Sequence, residues 1–153
     1  MKPDNEMWKP VPGFEGAYEV SDHGRVRSKD RIKKYVRRDQ YSGRDLEIVR
    51  HHKGRVLRPG PKKSGHLTVV LGRRMAGGAG SVQVHALVLN AFVGPCPPNH
   101  EALHGDGSSA NNRLDNLRWG TRSENILEDI ARGVRDNQYG WSNGRTQTPN
   151  PMP

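Results

Sequence analysis

Thr121-Arg122-Ser123-Glu124 has the form of a capping box, and it constrains this chain more than any other feature. A threonine hydroxyl can accept from the backbone N–H three residues on, and the glutamate there can reach back to the threonine N–H. The pattern predicts a helix starting at Thr121. Ile126, Leu127 and Ile130 give it an apolar face, and Gly133 suits its end. Upstream, a strand is expected over about Glu101 to His104, followed by a turn dense in Gly, Asn and Ser. The stretch L-D-N-L-R-W reads as a second strand, with Leu114, Leu117 and Trp119 available for packing. Residues 99–132 therefore read strand, loop, strand, helix.

The rest of the chain limits what this unit can be attached to. Only 32% of the 153 residues are apolar, while Gly and Pro number 18 and 11. Ordinary globular chains carry roughly 45–50% apolar residues with Gly counted in. The core must be small, which disfavours a large enzyme core, a helical bundle and a coiled coil. No run approaches the ~20 apolar residues of a membrane span, and the first residues contain no apolar signal region. The single cysteine, Cys96, excludes an internal disulfide. A soluble, cytoplasmic-type protein without a membrane partner is expected. Tyr18 and Val20 alternate ahead of the Asp22-His23-Gly24 turn, so 8–28 reads as a short hairpin with an aromatic face of Trp8, Phe14 and Tyr18. Residues 29–53 read as an exposed polar loop or arm, with short strands following in G-R-V-L-R-P and H-L-T-V-V-L. Residues 72–80 read as a loop, 85–93 as a short apolar helix stopped by Gly94-Pro95, and the tail after Gly133 as disordered. The expected division is a basic β-rich module over 1–74, the ββα unit within 75–133, and a tail over 134–153.

The charge is uneven. Residues 23–74 carry 17 basic and 4 acidic side chains, a net of +13 that exceeds the +9 of the whole chain. Such a field suits a polyanion such as DNA or RNA. Arg31, Lys33, Lys34, Arg37 and Arg38 are the leading phosphate-contact candidates, joined by Arg118 and Arg122 beside the predicted helix start.

Three residues of the ββα unit carry chemistry. His104 ends the first predicted strand, Asn116 falls on the second, and Asn125 lies in the first helical turn. Phosphodiester hydrolysis needs a base near pH 7, which neutral imidazole supplies, and a cation to stabilise charge on phosphate. A hard cation such as Mg²⁺ prefers oxygen ligands, which an Asn carbonyl provides.

The stretches V-H-A-L-V-L-N-A-F-V and A-L-H-G-D-G-S-S-A-N-N-R-L-D-N-L-R-W-G-T-R-S-E-N-I resemble the HNH endonuclease family, more closely its phage homing-type branch. Residues 8–28 are similar to the nuclease-associated modular domain that often precedes such units, through Trp8, Pro10, Gly13, Phe14, Glu15, Gly16, Tyr18, Val20, Ser21, Gly24, Val26 and Ser28. The resemblance implies an α+β fold with a β-rich module before a ββα-metal (His-Me finger) nuclease unit. It implies metal-dependent DNA cleavage, with Mg²⁺ or Mn²⁺, leaving 5′-phosphate and 3′-hydroxyl ends. His104 matches the general base, Asn116 the residue that braces the loop and helps orient the histidine, and Asn125 a metal ligand.

Leu103 departs from the family, many of whose members carry Asp, Asn or His there as a second metal ligand. Three explanations stay open: Asn125 holds the metal mainly through waters and DNA phosphate, Asp106 or His85 supplies the ligand, or the site is decayed. A DNA-binding protein that does not cut, and an RNA-binding or packaging-associated role, are the alternatives to an endonuclease. Sequence leaves open the target, the oligomeric state (monomer or homodimer) and hence nicking against double-strand cleavage.

Overall fold

The computed structural model describes residues 5–72 and 80–134. Its first half is built from short antiparallel strands. β1 (Trp8–Pro10), β2 (Tyr18–Ser21) and β3 (Val26–Ser28) form a meander. β4 (Arg31–Arg38) and β5 (Asp45–His52) make a separate ribbon of eight residue pairs. β6 (Arg55–Val56) returns to the open edge of β3, completing a four-stranded sheet. The expectation of a loop over 29–53 is thus corrected. Neither face of the ribbon has a core to lie on, so the sequence carries no apolar/polar alternation to announce the strands.

β7 (Gly60–Pro61), β8 (Leu67–Leu71) and β9 (Gly80–Gln83) form a three-stranded sheet. The β8–β9 ladder runs from Thr68↔Gln83 to Leu71↔Gly80, so it bridges the expected boundary at 74/75. The loop expected over 72–80 lies largely outside the described residues, as does the tail beyond 134. α1 (Val84–Phe92) follows at once and ends where Gly94, at φ +123°, returns its N–H to the Leu89 carbonyl.

β10 (His100–His104) pairs with β11 (Leu117–Thr121), and α2 (Arg122–Ala131) packs on that hairpin. Both halves of the capping box are formed, with Thr121 as N-cap. Leu114–Asn116 is a single 3-10 turn rather than strand, because the Leu114 N–H is bound by the Asp22 carbonyl, 2.8 Å away. Asn116 therefore precedes the second strand instead of lying on it. Ile126 and Ile130 are half-buried, but Leu127 is 65% exposed. A two-stranded hairpin covers only a narrow stripe of helix, and Leu127 lies about 100° round from Ile126.

One apolar cluster unites the two halves. Val11, Tyr18, Val20 and Val26 from the first sheet meet Val69 and Leu71 of β8, Val84 and Leu87–Leu89 of α1, and Leu117 of β11. Trp119 donates from Nε1 to the Gly94 carbonyl at 3.0 Å, which pins β11 to the end of α1. Among the described residues no helix is long and apolar enough to cross a membrane.

Candidate nuclease site

His104 is 9% exposed at the end of β10. Its Nε2 lies 3.1 Å from Oδ1 of Asn112. An amide oxygen only accepts, so the ring proton sits on Nε2 and the Nδ1 lone pair is left available. Arg132 donates to the carbonyls of His104 and Gly105, both at 3.2 Å, and steadies the strand end from α2.

Asn112 is itself buried, and the first sheet holds its backbone in place. A Cβ at Gly24 would stand 2.7 Å from the Asn112 carbonyl oxygen, and Gly24 adopts φ +79°. Only glycine allows this approach without strain. The β2–β3 turn thus moulds the loop that orients His104.

The histidine-orienting bond comes from Asn112, not from Asn116. Asn116 stitches the loop instead. Its Oδ1 accepts from the Asp106 N–H and its Nδ2 donates to the Asp106 carboxylate and the Asn111 carbonyl, each at 2.9 Å. Asp106 also accepts from Asn111 Nδ2 and the Ser108 N–H. These donors, Asn111 first, hold its carboxyl down at about 2. Two residues beyond His104, Asp106 would share its face only in a continuing strand; β10 stops at His104, and both Asp106 oxygens are engaged inside the turn.

Asn125 lies in the first turn of α2. Its Nδ2 donates to Glu101 Oε1 at 2.9 Å, which leaves Oδ1 open. Glu101 and Leu103 share one face of β10 by strand alternation. Leu103 is 2% exposed and lies over Gly120, where any Cβ would collide with it. Position 103 therefore offers packing and no ligand. The Asn125 oxygen with the Glu101 carboxylate is a donor pair that suits a hard cation.

His85, in the first turn of α1, is 5% exposed with its Nδ1 buried and without a partner. Burial, then the neighbouring His104 and His66, push its pKa down to about 4. His66, just before β8, completes a trio whose ligand nitrogens all lie within 4.8 Å of one another.

The candidate DNA-contact cations divide. By register, Lys33, Arg37 and Arg50 share one face of the β4–β5 ribbon with no acidic residue, while Lys34 and Arg38 share the other with Glu47 and Asp45. Arg31 is a docking residue: it donates to the Ala17 carbonyl at 3.1 Å and lies over the Tyr18 ring. Arg118 is bound by Glu128 and lies 3.7 Å from Glu124. Arg122 is exposed and forms no ion pair among the described residues.

Sequence reasoning missed Asn112, Glu101 and His66. Asn112 stood in the N-N-R run, and Glu101 was findable as the residue two before Leu103. His66 carried no signal, because it reaches the site through the β8–β9 ladder.

A hairpin with a histidine ending its first strand, a stitched loop between its strands and an asparagine on the helix that follows has the layout of a ββα unit. Residues 82–127 match the HNH endonuclease family, and residues 6–72 match the NUMOD4 motif. The chain carries a NUMOD4 motif followed by an HNH endonuclease domain. It is 33% identical over 130 residues to DNA endonuclease I-HmuI of Bacillus phage SP01, an alignment covering 83% of this chain and 59% of that protein. It is also similar to the solved structure of DNA binding and cleavage by the HNH homing endonuclease I-HmuI, with a TM-score of 0.60 and 28% identity. That match covers 86% of this chain and 62% of the other. The chain thus spans about three fifths of the relative it matches.

Proposed function

We propose that this protein is a metal-dependent endonuclease of duplex DNA, with His104 as the general base. The observation that carries the reading is the His104–Asn112 bond. It places the proton on Nε2 and leaves Nδ1 able to take one from water. Asn112 acts as a positioning residue. Arg132 limits movement of the backbone under the histidine.

A divalent cation, Mg²⁺ by preference and Mn²⁺ in its place, fits the Asn125 and Glu101 oxygens, and its charge would stabilise the scissile phosphate and leaving oxygen. Water is the nucleophile, so cleavage on the leaving 3′-oxygen side gives 5′-phosphate and 3′-hydroxyl ends. Lys33, Arg37 and Arg50 supply phosphate contacts that position the duplex without reading its sequence. One site in one chain cuts one strand.

The test is conversion of supercoiled plasmid with Mg²⁺ or Mn²⁺, alongside His104→Ala and an EDTA control. Metal-dependent nicking that the variant loses supports the reading. A DNA-binding protein with a closed site is the second reading, favoured by the buried Leu103. It predicts salt-sensitive binding without cleavage, and recovery of cleavage in Leu103→Asp.

A further inference from the structure

Three imidazoles converge around His104. Ring centroids of His66 and His85 are 5.0 Å apart, those of His85 and His104 5.2 Å, and those of His66 and His104 5.7 Å. Their ligand nitrogens lie within 4.8 Å of one another, and the rings come from three separate elements. Two rings are tied from outside: His66 Nδ1 to Ser64 Oγ at 3.0 Å and His104 Nε2 to Asn112 Oδ1 at 3.1 Å. That leaves His66 Nε2 and His104 Nδ1 as their uncommitted nitrogens. His85 Nδ1 is buried without a partner.

We propose that His66, His85 and His104 form a binding site for a transition-metal dication of the Zn²⁺ class, and that its occupancy withdraws His104 from DNA cleavage. The donor set is all nitrogen, which favours Zn²⁺, Ni²⁺, Co²⁺ or Cu²⁺ over Mg²⁺. It differs in kind from the oxygen pair of Asn125 and Glu101. An imidazole with one nitrogen tied to an oxygen and the other free has the arrangement of metal-bound histidines, where the outer bond fixes tautomer and ring direction. No hydrogen bond to the buried Nδ1 of His85 ties that ring away from a metal. Tetrahedral zinc at ~2.0–2.1 Å from each nitrogen sets them roughly 3.3 Å apart, so modest side-chain closure completes the site. Three ligands leave the fourth position to water. Burial also keeps His66 and His85 below the ordinary histidine pKa, in the neutral form that binds metal.

The inhibitory half rests on the reading of His104 as the base; the binding half does not. The test uses the full chain stripped with chelator. Zn²⁺ is titrated by calorimetry and Co²⁺ by visible absorption, for wild type, His66→Ala and His66→Gln, each checked for folding by circular dichroism. The expected result is one Zn²⁺ per chain and a four-coordinate Co²⁺ band. Affinity should fall at least ~10-fold in both variants. Stoichiometric Zn²⁺ should abolish Mg²⁺-dependent plasmid cleavage by wild type and spare cleavage by the variants. Equal Zn²⁺ affinity in wild type and variants, or no Co²⁺ band, overturns the site. If zinc binds through His66 but no form cuts DNA with Mg²⁺, the site stands and the endonuclease reading falls. If Mg²⁺ cleavage is robust and zinc does not bind, the reverse holds.

Discussion

The β4–β5 ribbon and the 105–116 loop are both polar segments, yet they are built by opposite rules. In the loop nearly every polar side chain is committed to another: Asn116 to Asp106, Asp106 to Asn111, Asn112 to His104. On the ribbon, Lys33, Arg37 and Arg50 stand along one face with no acid among them. Chemistry requires a group held still before the substrate arrives. Attraction to a polyanion requires cations that are not already neutralised. The same residue types serve either end, and their neighbours decide which. Arg31 and Arg118 show the point, since both looked like contact residues in sequence and both are engaged within the fold.

The largest expected effect comes from removing the base that the loop holds. His104→Ala should lower plasmid cleavage by ~10²–10⁴-fold, with DNA affinity unchanged in a gel-shift titration. Asn112→Ala should cost ~10–100-fold while leaving the imidazole present, because the tautomer and ring direction are no longer fixed. A loss that Asn112→Asp partly restores would mark positioning rather than folding. The ribbon should respond differently. Lys33→Glu with Arg37→Glu should weaken binding and reduce the slope of log K against log salt by ~2, whereas Lys34→Glu with Arg38→Glu should change it less. Equal effects from both pairs would erase the distinction between the faces. The smallest effect concerns acid. Asp106 is held below its ordinary 3.8, so its contribution to stability is present above 3.8 and is lost as pH falls toward about 2. Acid unfolding of Asp106→Asn should be less steep across that window.

Legibility in the sequence followed the same division. The capping box, the strand ending at His104 and the helix stopped by Gly94 rest on local signals, and the structure shows all three. The ribbon was missed because strands without a buried face leave no periodic trace. Leu127 was misplaced because the pattern gives a stripe's direction but not the width of what covers it. Asn112 and His66 depend on contacts between distant segments, namely Gly24 against the loop and β8 against β9. No reading of neighbours along the chain supplies those.

The approach of Gly24 to Asn112 also bears on how such proteins could be recombined. A module that merely tethers a nuclease to its target can be exchanged for another at the linker, as a lens is changed on a camera. Here the first sheet's turn is part of the mount that aligns the base, and a β-strand from that side is laced into the sheet beside α1. A chimera that replaces residues 6–72 must therefore reproduce a glycine turn at that spot, or it will inherit a cutter whose histidine is out of true.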